Sequence, residues 1–156
     1  MSVLLKEGCL IEGFDAGEVE CIAHSANCQN TMGSGVAKAI RERWPEVYEA
    51  DLQTTKGDYD KLGSLSWTPV ITKTGHGPVF NLYGQFFYGR EPGAQYTDLD
   101  ALREACNSMR LFLDALEITK VGVPMLGCGL GGAKWDDVEA ILVGAFDGLD
   151  VTVYCK

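Results

Sequence analysis

Cys21-Ile22-Ala23-His24-Ser25-Ala26-Asn27-Cys28, followed by Met32-Gly33-Ser34-Gly35-Val36-Ala37, is the stretch on which the fold turns. The apolar run from Cys21 to Ser25 is too short for a helix and is bounded by polar and glycine residues, so it reads as a buried strand. Beyond Gly33-Ser34-Gly35, apolar residues recur at Val36, Ala39, Ile40 and Trp44, a helical spacing that Pro45 is expected to interrupt. Strand, glycine loop and helix follow one another.

The same order recurs toward the C-terminus. Val121 to Pro124 reads as a buried strand, Gly127-Cys128-Gly129-Leu130-Gly131-Gly132 as a loop, and Trp135 to Phe146 as a helix. Asp98 is placed to cap a helix from Leu99 to Leu116, with Leu102, Ala105, Met109, Phe112, Leu113 and Leu116 as its buried stripe. Val3 to Lys6 is expected as a further interior strand and Asp150 to Cys155 as a closing one. Leu65 to Trp67 and Val79 to Leu82 suggest a hairpin around Gly75-His76-Gly77-Pro78, and Gln53 to Lys61 a surface connection. Strands alternating with helices imply a three-layer α/β/α sandwich, a single domain over residues 1–156.

Composition narrows the chemistry. The 19 glycines sit in no low-complexity tract, and the net charge of −9 argues against a broad nucleic-acid surface. The six cysteines form no CxxC pair and there are only two histidines, so neither a zinc site nor another metal or cofactor is expected. No segment has the apolar length of a membrane span or a signal core, which leads to the expectation of a cytoplasmic protein with reduced thiols.

A phosphate on so acidic a chain must be held by local donors. Glycine lets a backbone turn through positive φ and exposes amides to close approach. A helix start offers unpaired N–H groups and about half a positive charge. Two such loops, both emerging beyond the carboxyl ends of the strands, could grip one diphosphate from two sides. Neither a Walker loop nor a Rossmann fingerprint fits the first loop.

Taken with Val79-Phe80-Asn81-Leu82, Pro124 to Gly132 and Val151-Thr152-Val153-Tyr154, the opening stretch resembles the macrodomain family, and the four blocks in order cover nearly the whole chain. The resemblance implies a mixed central sheet between helices and a site for ADP-ribose. The His-Ser-x-Asn strand end is most similar to the branch of terminal ADP-ribose glycohydrolases and yeast-type ADP-ribose 1″-phosphate phosphatases. Those glycohydrolases carry a lysine just after the central strand, where this chain has Gly84-Gln85, and an aspartate in the second loop, where it has Gly131. Many macrodomains hold adenine with an aspartate where Cys9 stands here.

The resemblance implies His24 as the catalytic acid-base group; by its residue type it could equally be a buried histidine bonded to protein. Ligand contacts are expected from Cys9, Asn27, Gly33, Ser34, Gly35, Val36, Asn81, Gly127, Cys128, Gly129, Leu130, Gly131 and Tyr154. Asn27 could serve ribose hydroxyls or form a turn, and Asn81 and Gln85 could orient water or the distal ribose. Trp135, Phe86, Phe87, Tyr88 and Tyr154 offer stacking faces or core packing. Cys28 and Cys128 are loop fillers unless a helix start lowers their pKa. The expected partner is ADP-ribose or its 1″-phosphate, with hydrolysis of the latter as the activity. Removal of ADP-ribose from macromolecules and binding without turnover are the alternatives.

Overall fold

Alternating strands and helices fold as three layers. The computed structural model describes residues 2–155. In chain order its elements are β1 (Ser2–Glu7), α1 (Leu10–Asp15), β2 (Cys21–Asn27), α2 (Gly35–Arg43), α3 (Pro45–Leu52), a 3-10 turn (Tyr59–Lys61), β3 (Leu65–Ile71), β4 (His76–Gln85), α4 (Leu99–Leu116), β5 (Lys120–Pro124), α5 (Trp135–Ala145) and β6 (Asp150–Cys155). The sheet order is β1-β6-β5-β2-β4-β3. Only β3 is antiparallel to its neighbour, so the sheet is mixed.

Period-two alternation along the strands divides the core. Ile22, Val79 and Tyr154 join Leu10, Phe14, Ile40 and Val47 beneath α1, α2 and α3. Ala23, Phe80 and Val153 join Leu102, Met109, Leu113 and Leu142 beneath α4 and α5. Helices on both faces are what a largely parallel sheet requires, since neither face can be left to water.

Helix α4 forms as its pattern dictates. The Asp98 carboxylate accepts from the Ala101 amide at 3.0 Å, and Glu117 closes the helix in the left-handed region at φ 57°. Leu102, Ala105, Met109 and Leu113 are fully buried, whereas Phe112 and Leu116, expected in the same stripe, lie 39% and 44% exposed at its margin. Truncating Met109 to Ala removes a fully buried side chain and should cost about 2–5 kcal/mol. Chemical denaturation measures it, and a loss below about 1 kcal/mol would show that the site collapses onto its neighbours.

Several expectations need correction. β1 is an edge strand, not an interior one, and leaves Leu4 and Leu5 half exposed. The β3–β4 hairpin turns at Thr72–Gly75, where the Thr72 amide donates to Gly75 O at 2.8 Å. His76, Gly77 and Pro78 belong to β4 and pair with Ile71, Val70 and Pro69. Pro45 interrupts the helix after the first loop as expected, holding Trp44 out of the helical region so that α2 stops at Arg43, but it also opens a second helix, α3, which the spacing does not announce. The connection through Lys61 is not wholly at the surface, because Lys61 is buried beside Asp51.

Candidate functional site

Because β1, β6, β5, β2 and β4 run parallel, their carboxyl ends share one edge of the sheet. The loops leaving that edge enclose a cavity of about 1150 Å³. Gly33-Ser34-Gly35 follows β2 and Gly127 to Gly131 follows β5, and both line it. The two glycine loops therefore face one space.

The first loop delivers the start of α2 to the cavity. Gly35 is in the left-handed region at φ 59°, and neither it nor Gly33 has any atom within 4 Å of where a Cβ would stand. Ser34 makes no side-chain cap bond and the first turn of α2 carries no acidic residue. The leading amides of α2 are thus left for a ligand, with the favourable end of the helix dipole behind them.

The second loop is braced from behind. Thr97 Oγ1 donates to Gly127 O at 3.0 Å, and the amides of Tyr96 and Thr97 donate to Gly131 O at 2.8 and 3.0 Å. Carbonyls are drawn away, and among the described residues the amides of Gly127, Gly129, Leu130 and Gly131 donate to no protein group. Gly127 sits at φ 67°, where a side chain would also strike Thr97. Such a cluster of free amides is a concave anion site.

The structure brings His24, Cys9, Asn27, Val36, Cys128, Leu130 and Tyr154 to the lining together with the loop glycines and Ser34. It does not bring Asn81, which is fully buried beneath the floor. The Asn81 amide nitrogen donates to Val47 O at 3.2 Å and Ser66 Oγ at 3.0 Å, so its oxygen faces His24 Nε2 at 2.5 Å. His24 Nε2 is therefore the donor and Nδ1 an acceptor, buried without a partner among the described residues. Burial pushes the His24 pKa below its ordinary value, against the opposing pull of Asn81. The imidazole is neutral near pH 7.

Other candidates divide. Asn27 forms a turn, donating to Thr31 Oγ1 at 2.9 Å and accepting from the Gln29 amide at 2.8 Å, while it also lines the cavity. The Tyr154 hydroxyl donates to Glu18 at 2.9 Å, leaving its ring toward the cavity beside Cys9. Tyr88 and Gln85 reach the lining, whereas Phe86 stacks on Tyr59 at 3.7 Å and Trp135 packs on the core. Burial pushes the Cys28 thiol up to about 11 and raises Cys128, the reverse of activation.

The sequence reading missed Arg90. Among the described residues it is the only lining residue with a formal charge, and no described lysine, aspartate or glutamate borders the cavity. An arginine five positions past the central strand, behind Phe86-Phe87-Tyr88, was the available signal.

Comparison with known proteins agrees with this geometry. The Macro domain family model matches residues 23–142. A 17.5 kDa protein from the tk-vs intergenic region of Enterobacteria phage T4 is 39% identical over 123 residues, 78% of this chain and 76% of its own length. A DNA ADP-ribosyl glycohydrolase of Mycobacterium tuberculosis is 28% identical over 143 residues, 88% of this chain; the chain spans only 38% of that protein. An ADP-ribose 1″-phosphate phosphatase of Debaryomyces hansenii is 26% identical, with 87% of this chain and 88% of its own length covered. The solved macrodomain of M. tuberculosis DarG superposes with a TM-score of 0.76 at 26% identity, covering 98% of this chain and 97% of that one.

Proposed function

This chain belongs to the Macro domain family, and on that premise we propose that it binds ADP-ribose and hydrolyses ADP-ribose 1″-phosphate to ADP-ribose and phosphate. The observation that carries the reading is the pair of free-amide loops facing one cavity, in which no carboxylate or lysine stands among the described lining residues. The amides take the phosphate oxygens, and Cys9 and Tyr154 border the adenosine end. The start of α2 supplies the charge complementarity that the −9 chain otherwise lacks.

For the chemical step the available titratable group is His24. Nδ1, buried and without a partner among the described residues, must gain access to the cavity to take a proton from a water attacking phosphorus, while Asn81 holds Nε2. The new O–P bond forms as the P–O1″ bond breaks, and the departing ribosyl oxygen takes the proton back. Loop amides stabilise the charge on the phosphoryl oxygens, the larger share of such catalysis.

A second reading is release of ADP-ribose from a modified macromolecule. The mycobacterial relatives favour it, and substrate phosphates would assist where protein groups are few. Calorimetry with ADP-ribose, phosphate release from its 1″-phosphate, and ADP-ribose release from modified DNA separate the readings. Binding without either release would leave a recognition module.

The His24 environment sets a pH dependence. Because its folded pKa is lowered, the base form should persist below about 6.5, the ordinary value, and phosphate release should stay flat from pH 8 to about 6.5. The rate should fall as pH drops through the folded value, and a rate that climbs on acidification would remove His24 as the base. Stability carries the same sign: the unfolded chain takes up the proton first, so acidification below about pH 6.5 weakens the fold.

A further inference from the structure

We propose that the β4 end of the cavity holds a second anion subsite, built on Arg90, which takes a phosphoryl group carried beyond the distal ribose. The inference rests on the ADP-ribose reading and names what that site selects.

Arg90 is exposed, and among the described residues it makes no ion pair, hydrogen bond or ring contact. It lines a cavity at which no carboxylate stands among the described residues. It also borders a second hollow of about 300 Å³, framed by Glu91 to Ala94 with Gly129, Leu130 and Gly132. Arg90, Gly129 and Leu130 line both spaces, so the hollow continues the main cavity past the second loop.

The segment holding Arg90 is a built one. A side chain at Gly89 would strike the Tyr96 ring, the Ala94 amide donates to Glu91 O at 3.1 Å, and the Tyr96 and Thr97 amides fasten the segment to Gly131. A side chain at Gly132 would strike Ala94 O. The loop that carries the guanidinium is thus packed against the loop that carries the free amides. Glu91 is the one carboxylate at the hollow, and it opposes an anion there.

Position along the sheet assigns the group. Cys9 and Tyr154 follow β1 and end β6, the second loop follows β5, the first follows β2, and Arg90 follows β4. From β6 to β4 is three strand spacings, about 14 Å at roughly 4.8 Å each. A ligand with adenosine at Cys9 and its diphosphate between the loops presents its distal ribose, and whatever that ribose bears, to Arg90. A guanidinium suits a phosphoryl group, which it can meet with two parallel hydrogen bonds. The phosphoryl group could be a terminal 1″-phosphate or a backbone phosphate of modified DNA.

Calorimetry with three uncleavable ligands tests this: ADP-ribose, its 1″-phosphonate analogue, and a short single-stranded deoxyoligonucleotide bearing ADP-ribose through a carbon linkage. The wild-type protein should bind at least one phosphoryl-bearing ligand about 10-fold more tightly than ADP-ribose, and which one identifies the source. R90A should lose that gain while holding ADP-ribose within about 2-fold, R90K should keep part of it, and E91Q should enlarge it. Thermal melts establish that each variant is folded. A wild-type protein that binds ADP-ribose with no gain from either phosphoryl group overturns the subsite alone. So does an R90A protein that loses ADP-ribose itself. No binding of ADP-ribose by wild type overturns the parent reading and the subsite together.

Discussion

Replacing Gly35 with Glu should abolish ADP-ribose binding, with a loss of at least about 100-fold by calorimetry. The Cβ would stand in open space inside the cavity, so nothing in the protein turns the new side chain aside. Its carboxylate would compete for the leading amides of α2 and face the ligand's diphosphate. Two unit charges about 4 Å apart at an effective dielectric of about 20 repel by about 4 kcal/mol, nearly a thousandfold in affinity. The left-handed φ of 59° adds backbone strain of about 1–2 kcal/mol for any side chain. Gly35→Ala carries the strain without the charge and serves as the control: it should lower the melting temperature yet keep most of the affinity. Unchanged affinity in a folded Gly35→Glu protein would sink the phosphate-loop assignment.

Replacing His24 with Ala should lower phosphate release by about 100-fold or more while ADP-ribose affinity stays within a few fold. The ring lies at the cavity floor rather than projecting into it, which is why affinity is spared. A stability loss should accompany it, because Asn81 Oδ1 is left buried without its donor, at about 1–3 kcal/mol. Melting temperature and kcat must therefore be measured together. A variant that melts earlier but turns over at the wild-type rate would make His24 structural only.

The site was legible where its chemistry resides in the backbone. Gly33, Gly35, Gly127 and Gly129 announce positive φ or close approach through residue type alone, and a strand before and a helix after fix which way their amides point. His24 and Asn27 reach the lining because they lie at the end of the strand that feeds the first loop. Asn81 does not. Its register opposite His24 on the neighbouring strand turns its amide inward, to Val47 and Ser66, and those partners belong to α3 and β3 rather than to its own strand β4. Arg90 was missed for the reverse reason, since a lone arginine in a loop is indistinguishable from any other solvated one until the loop is seen to border the cavity.

Local pattern was sufficient for α4, β5 and β6, whose apolar spacing, cap and length left no competing period. It was insufficient for α1, a helix of six residues with one buried face, and for α3, where Pro45 can equally end a helix or begin one. Strand order, the burial of Lys61 against Asp51, and the tautomer of His24 depend on which segments meet across long sequence separations. Residue type and spacing act within a few turns of chain and so dictate elements and loop conformations. Which element lies beside which, and therefore which polar group is satisfied and which is left facing a ligand, is set by the shared burial of the two core faces.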